Sequence, residues 1–420
     1  MSIWNLSSWF SRSAKLTEPA SFNIGESYSG KCVTADTSLS LSTVYACAKL
    51  IAESIASLPC ALYTYDKDGN KEAVKGHELY KIIHNSPNAD MTAFDYWQVV
   101  VVSILLWGNS YSLKSFRGSG ANKKVVSIEP LYPEFVSVIG NDDGSFRYEY
   151  TQNGVKQSYS EDQIMHIKGF SLSGRMGLSI ISYAKNSFGN SLAMEETSGR
   201  LFANGMRPGG ALTMPGTIKK EQRDEIRTNI ADQVGGVAKS GGLIILEGGM
   251  EYKPFSIPPV DAQMLESKSF SIEDICRWFQ VPPMMVGHTQ NTTTWGTGLE
   301  QINLGFLTYT LQPHIKRIEQ QVNKSLLTPE EREKYFMEFN IEGFLRADSK
   351  GRAELYSKYV QNGIYSRNEV RKKENAKPYD GGDEYTVQSN MIPLSMLGKI
   401  TSTTELTTEK TNLEETEAVE

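Results

Sequence analysis

The sequence predicts an α+β protein that is mainly helical. Three observations predict it. Apolar residues recur every three or four positions through long stretches near 40–58, 178–204, 261–280 and 299–327. Residues 125–168 instead break into short β-branched and aromatic runs separated by turn sequences. The 420 residues show no internal repeat, and a chain of that length divides into more than one core.

The first 39 residues read as an N-terminal arm, 1–39. Polar residues interrupt Ile3, Trp4, Leu6, Trp9 and Phe10 and no charged leader precedes them, so a signal peptide is not expected. Two readings stand for this arm, a partly ordered terminus and an amphipathic segment that docks on a partner. In 40–58, Val44, Cys47, Ala48, Ile51, Ile55 and Leu58 form the helical stripe, with Ser42 expected to cap it and Pro59 to stop it. Residues 60–65 alternate as a strand before the turn signal Asp68-Gly69-Asn70. In 92–112 four valines, Val99 to Val102, favour strand, but the length without a turn signal predicts a helix. Val136, Val138, Phe146, Tyr148 and Tyr150 lie in short strands, with turns at Asn141–Gly144 and Asn153-Gly154. Ser160 and Gln163 have capping-box spacing, yet the segment after them looks extended.

The helix at 178–204 carries Gly189, Ser191, Ala193 and Gly199, which keep it slim enough for close approach by a neighbour in the same chain or in another copy. Residues 206–260 are mixed, with a helix over Lys219–Asp232 and a strand over Leu243–Leu246. Ile272, Ile275 and Phe279 mark the next helix, which Val281-Pro282-Pro283 ends. A loop of small and polar residues follows to 298, long for its setting. Leu299, Ile302, Phe306, Ile315, Ile318, Val322 and Leu326 define a long helix with a kink expected at Pro313. Thr328-Pro329-Glu330-Glu331 starts a new turn, and Ser366 with Glu369 caps a charged helix within 345–376. Residues 378–420 are expected to be an acidic, disordered tail; 401–420 hold seven Thr and no aromatic residue.

Composition excludes more than it selects. Hydrophobic residues at 39% and charged residues at 22% are ordinary for a globular chain. Of the net charge of −6, −5 sits in residues 401–420, which leaves −1 for the rest. A basic DNA-gripping surface is therefore not indicated. The best apolar run, Val99 to Trp107 interrupted by Ser103, is half a membrane span and reads as a buried element. Cys32, Cys47, Cys60 and Cys276 have no CxxC spacing, so neither a disulfide framework nor a metal site is expected. His77, His84, His166, His288 and His314 form no HExxH, and no GxSxG or GxxxxGK[ST] occurs. Gly381-Gly382-Asp383-Glu384-Tyr385 looks like a cyclase signature but lacks a cyclase domain around it, and reads as a glycine-rich turn. No catalytic residue and no cofactor are expected.

A series of short stretches, each weak alone, stands in a specific order. Leu105-Leu106-Trp107-Gly108-Asn109-Ser110-Tyr111 is followed by Leu131-Tyr132-Pro133 with Val136, His166-Ile167-Lys168-Gly169 and Gly177-Leu178-Ser179. Phe202-Ala203-Asn204-Gly205, Pro208-Gly209-Gly210 and Leu246-Glu247-Gly248-Gly249 come next. Asp261-Ala262-Gln263, Phe279-Gln280-Val281-Pro282-Pro283, Leu311-Gln312-Pro313, Leu345-Arg346-Ala347-Asp348 and Gly363–Arg371 complete the series. This order over 40–385 resembles the tailed-phage portal family in its long-tailed-phage branch, with Ser110 for the usual Ala and Ala347 for a common Gly as the departures.

The resemblance implies a ring, usually of twelve copies, at one capsid vertex, through whose channel DNA enters and leaves. It implies an α/β wing at 40–177, stem helices at 178–205 and 261–283, a small mixed clip at 206–260 and a tunnel loop at 284–298. A long kinked helix and wing return would occupy 299–344, and a helical crown 345–377. The implied partners are other copies of the chain, the terminase large subunit, a head–tail adaptor, the major capsid protein and double-stranded DNA without sequence specificity; no membrane is implied. The implied setting is the virion, and the host cytoplasm during assembly. His288, Thr289, Gln290, Asn291, Thr292, Thr293 and Thr294 are the candidate channel residues, because hydroxyls, amides and one imidazole touch phosphates without holding them strongly. Trp295 reads either as the anchor of that loop or as core. Arg367, Arg371, Lys372, Lys373 and Lys377 are candidates for contact with packaged DNA, against a solvated face balanced by Glu369 and Glu374. The alternative function is a capsid-associated or scaffold-like structural protein that conducts no DNA, and an enzyme ranks behind both.

Overall fold

The computed structural model describes residues 26–386 apart from 68, 70, 119–122, 204–209, 214–219, 221–250, 255–259, 290–296, 342–348 and 375. The chain divides into two compact units, Met1–Asn340 and Ile341–Glu420.

In the first unit α1 (Ala35–Leu39) precedes α2 (Ser42–Ala56), whose stripe of Val44, Cys47, Ala48, Ile51 and Ile55 is buried as the spacing predicts. The cap differs from expectation. Leu41 holds the N-cap position without a side-chain bond and Ser42 is the first helical residue, so burial of Leu41 sets the entry instead of a hydroxyl. Residues 26–39, expected as part of an arm, are folded: Glu26 bridges to Cys32, and Thr34 caps α1 in a capping box. β1 (Cys60–Tyr65) does not alternate, since Cys60, Ala61 and Leu62 are all buried. It pairs with β2 (Lys71–Ala73), and α3 (Glu78–His84) packs against it.

Residues 92–112 divide into two elements. Thr92 and Asp95 form a capping box for α4 (Ala93–Trp107), and Gly108 at φ +75° ends it. The last residues, expected to be helical, begin β3 (Asn109–Arg117). The valine run stays helical because Val100 and Val101 are buried where α4 packs along α2; tertiary packing overrides β-propensity. The β-rich block contains β4 (Lys124–Leu131), β5 (Val136–Gly140), β6 (Phe146–Gln152), β7 (Val155–Ser160) and β8 (Ile164–Lys168). Two antiparallel sheets result, ordered β4-β3-β8 and β5-β6-β7. Tyr111, Leu131, Val136, Val138, Tyr148 and Ile164 join them in one apolar cluster.

Two long helices follow, α5 (Ile180–Ala203) and α6 (Val260–Phe279). Between them β9 (Gly210–Thr213) pairs with β10 (Glu251–Pro254). The expected helix Lys219–Asp232, apart from Lys220, and the expected strand Leu243–Leu246 lie outside the described residues. The helix predicted over 299–327 is α7 (Thr297–Gly305), a π-helical segment Phe306–Leu311 and α8 (Gln312–Leu326). Pro313 offers no N–H to the preceding turn and its ring crowds a carbonyl there, and the wider π turn accommodates both defects. Thr328 caps α9 (Pro329–Arg332) as predicted.

An unforeseen strand, β11 (Tyr335–Phe339), pairs antiparallel with β1, Leu62 opposite Met337. The buried Glu319 of α8 accepts from Phe339 N at 2.9 Å and from Lys316 Nζ at 2.7 Å, which ties this sheet to the helix. Lys114 on β3, its pKa lowered by burial, donates to Ser325 O at 3.2 Å and Ser325 Oγ at 3.0 Å.

The second unit contains α10 (Ser349–Gln361) and α11 (Arg367–Lys373), with the predicted Ser366–Glu369 capping box. Residues 378–386, expected to open a disordered tail, are folded onto α11. Asn368 is buried, accepts from Tyr379 N at 3.0 Å, and donates through Nδ2 to Tyr379 O at 2.9 Å and through its backbone N to Gly382 O at 2.8 Å. The Gly381–Tyr385 run is this turn. Residues 387–420 lie outside the described residues.

Candidate functional site

The three motifs around Gly108, His166 and Gly177, far apart in sequence, meet at the start of α5. Gly108 O accepts from Gly169 N at 2.8 Å. A Cβ on Gly108 would lie 2.4 Å from the Leu178 carbonyl carbon, and a Cβ on Gly177 would lie 1.9 Å from Gly108 O. Backbone thus packs directly on backbone. The buried Asn109 completes the joint: its Oδ1 accepts from Gly177 N at 2.8 Å and its Nδ2 donates to Gly177 O at 3.0 Å. His166 Nε2 donates to the same Oδ1 at 2.9 Å, and its Nδ1 accepts from Tyr148 Oη at 3.2 Å, a tautomer set by these partners. Burial pushes the His166 pKa down to about 3, so the ring is neutral. Ser179, just before α5, accepts from Ser182 N at 3.3 Å and donates to Leu106 O at 2.7 Å.

From this joint α5 runs beside α6. Phe188 and Phe279 stack with centroids 6.3 Å apart, while Ser191 bonds Ser271 and Ser187 bonds Asp274. Gly189, left open between two roles by its sequence, packs within the chain: a Cβ there would meet Ser27 Oγ at 2.1 Å. Gly199 has nothing within 4 Å of its Cβ position.

The candidate loop leaves α6 through Gln280, whose φ is +56°, and a 3-10 turn at Pro283–Val286. His288 and Thr289 are described; Gln290 to Thr294, and Trp295, lie outside the described residues. His288 folds back onto α6, with Nε2 3.2 Å from Ser269 Oγ and 3.7 Å from Glu273 Oε1, and its backbone N donates to Pro283 O at 3.0 Å. The root of the loop is thereby pinned to the helix it leaves. Behind it, Thr310 Oγ1 in the π segment donates to Gln280 O at 2.5 Å.

In the second unit the basic candidates separate by role. Arg371 donates to Lys377 O at 2.7 Å and lies over Tyr379, and Lys373 lies over Tyr365 at 4.9 Å, so both hold their own fold together. Arg367, Lys372 and Lys377 are exposed and make no ion pair among the described residues. Glu374, read from sequence as a balancing charge, pairs with Arg352 at 3.0 Å. Among the described residues no cluster of His, Cys, Asp or Glu could hold a metal ion, and no helix is long and apolar enough to cross a membrane.

The comparisons with known proteins converge. The phage portal protein family model matches residues 42–375. The chain is 34% identical over 364 residues to the portal protein of Enterobacteria phage HK97, covering 86% of this chain and 84% of that one. It is 33% identical over 390 residues to the probable portal protein of Streptomyces phage phiC31, covering 89% and 83%. A chain from the neck of a native gene transfer agent particle, computed with C12 symmetry, superposes with a TM-score of 0.56 at 23% identity over 82% of this chain and 92% of that one. The matched span runs from α2 through the glycine joint, the helix pair and the root of the loop to α11, and over that span this chain belongs to the phage portal protein family.

Proposed function

We propose that copies of this portal protein, twelve in the usual case, close into a ring at one vertex of a virion. Its axial channel passes double-stranded DNA during packaging and ejection. Its outer surfaces meet the terminase large subunit, the head–tail adaptor and the major capsid protein, and the ring assembles in the host cytoplasm. The chain conducts DNA and does not transform it chemically. The observation that carries this reading is the family match over 42–375, and the C12 symmetry of the similar neck supports the ring. In this reading 40–177 is the wing, α5 and α6 are the stem, 206–260 is the clip, 284–298 is the tunnel loop and 345–377 is the crown. A head-to-tail contact that closes on itself is what such a ring requires. A channel for sliding needs weak phosphate contacts, because each neutralised phosphate steepens the hold on DNA. The near-neutral body and the uncharged side chains of Thr289–Thr294 suit that need.

Light scattering and negative-stain imaging of the purified chain test the ring. Rings with an axial hole are expected, whereas a monomer under every assembly condition overturns the proposal in favour of a non-conducting capsid-associated protein. Replacing His288–Thr294 with a Gly/Ser linker is expected to leave rings intact and to reduce the packaged genome yield at least tenfold. Normal packaging would remove the tunnel-loop assignment. The crown assignment narrows to Arg367, Lys372 and Lys377, the candidates whose side chains do not hold their own fold together. Changing Arg367, Lys372 and Lys377 together to Gln is expected to lower DNA retention in full heads, with the loss smaller at high salt. Unchanged retention at low salt would leave them as a solvated face.

A further inference from the structure

Cys47 and Cys276 stand 229 residues apart in sequence, yet their Sγ atoms lie 4.0 Å apart. Cys47 sits on the buried stripe of α2 and Cys276 near the end of α6, beside Ile275 and Phe279; both thiols are buried. We propose that this pair is an oxidation site at which a small peroxide converts two thiols into a disulfide, locking the end of α6 to α2. Geometry singles the pair out. Cys60 is also buried, but burial and the nearby Glu319 carboxylate push its pKa up and disfavour its thiolate, and Cys32 lies on the surface. Within the pair the hydrogen bond from Cys47 holds the Cys276 thiol below its ordinary value and pushes the Cys47 thiol up. Either sulfur can donate in the bond they share, and a donated bond from Cys47 favours Cys276 as the nucleophile.

The chemistry balances with hydrogen peroxide as the oxidant. The Cys276 thiolate attacks one peroxide oxygen, an S–O bond forms, the O–O bond breaks and hydroxide leaves, giving a sulfenic acid. Cys47 sulfur then attacks the Cys276 sulfur, an S–S bond forms, the S–O bond breaks and water leaves with the Cys47 proton. Two thiols and one peroxide become one disulfide and two waters. Disulfide formation brings the sulfurs from 4.0 Å to the bonded distance of ~2.05 Å. Neither thiol reaches solvent, so the reaction waits on local opening and admits only a small oxidant. Glutathione keeps such a pair reduced inside a cell, and a released particle has no such buffer. That timing rests on the portal reading; the cross-link itself does not.

The test uses the full-length protein, reduced, freed of reductant and exposed to hydrogen peroxide, then denatured in excess alkylating reagent and digested. The expected product is a peptide containing Cys47 joined to one containing Cys276, in a chain lighter by two hydrogen atoms. Cys60 remains alkylated, and Tm rises by several degrees over the reduced form. Cys276→Ser, or Cys276→Ala where the serine variant folds poorly, is expected to leave Cys47 alkylated. Oxidation of Cys32 with Cys47 and Cys276 still separately alkylated overturns the proposal, as does random pairing among all four cysteines. Imaging the same samples separates the two readings: rings without the linked peptide reject the cross-link alone, and the linked peptide without rings rejects the ring alone.

Discussion

Gly177→Ala is expected to be among the most damaging single changes available to this chain, costing about 3 kcal/mol or more and lowering Tm by roughly 4 °C. The reason is that the added methyl has no side chain to displace. Its Cβ would lie 1.9 Å from Gly108 O, 2.8 Å from Gly169 N and 2.9 Å from the Gly108 carbonyl carbon, all backbone atoms. Those atoms are themselves committed, Gly169 N to Gly108 O and Gly177 N to Asn109 Oδ1. Relief therefore breaks hydrogen bonds that bury polar groups, at ~1–3 kcal/mol for each group left unsatisfied. Gly199→Ala in α5 is the matched control. Nothing lies within 4 Å of its Cβ position, and removing a helix-interior glycine is worth up to about 1 kcal/mol of added stability. Thermal melts of the two variants side by side check this. Equal Tm values would mean that the joint yields more readily than its contacts state.

Acidification is the second large effect. His166 has a folded-state pKa of about 3, against an ordinary value of 6.5, and His314 on α8 is pushed down to about 4; burial is the leading cause in both. Above pH 6.5 both rings are neutral, folded or unfolded. As pH falls through 6.5 the unfolded chain takes up protons that the folded chain refuses, so stability declines until pH approaches the folded values. At pH 4 the loss is about 3 kcal/mol for each ring. Melts at stepped pH should show Tm falling between pH 6.5 and 4. His166→Gln should lower Tm at pH 7, because it removes a bridge between Asn109 and Tyr148, and should flatten the decline. An unchanged slope in that variant would place the acid sensitivity elsewhere, in His314 or in the paired carboxylates.

What the sequence disclosed follows the range of the interactions involved. Capping boxes at Thr328 and Ser366, the strand at Cys60–Tyr65 and the turns of the β-rich block depend on residues a few positions apart, and all were legible. The sequence predicts helix through to residue 112 because 92–112 shows no turn signal, and a lone Gly108 after an apolar run does not supply one. The second half of its signal, a buried Asn that bonds Gly177, lies 68 residues away. β11 escaped notice because Tyr335–Phe339 becomes a strand by pairing with β1, some 270 residues earlier. The order of motifs identified the family without revealing that three of them are one physical object. For the candidate loop, composition was informative about the kind of contact proposed for it. The grip of Ser269 and Glu273 on His288 was not, since it depends on how the chain doubles back onto α6.

The glycine joint has a mechanical consequence. Where helices meet sheets through interlocking side chains, the connection has compliance, because rotamers change and volumes shift under load. Here peptide units of Gly108, Gly169 and Gly177 bear on each other with no side chain between them. A push along α5 is delivered straight into β3 and β8, whose ends carry Asn109 and Lys168. The connection behaves as a weld and not as a spring. α5 cannot change its tilt at this end without dragging the sheet along, so strain applied to the helix is transmitted through the joint instead of being absorbed by it.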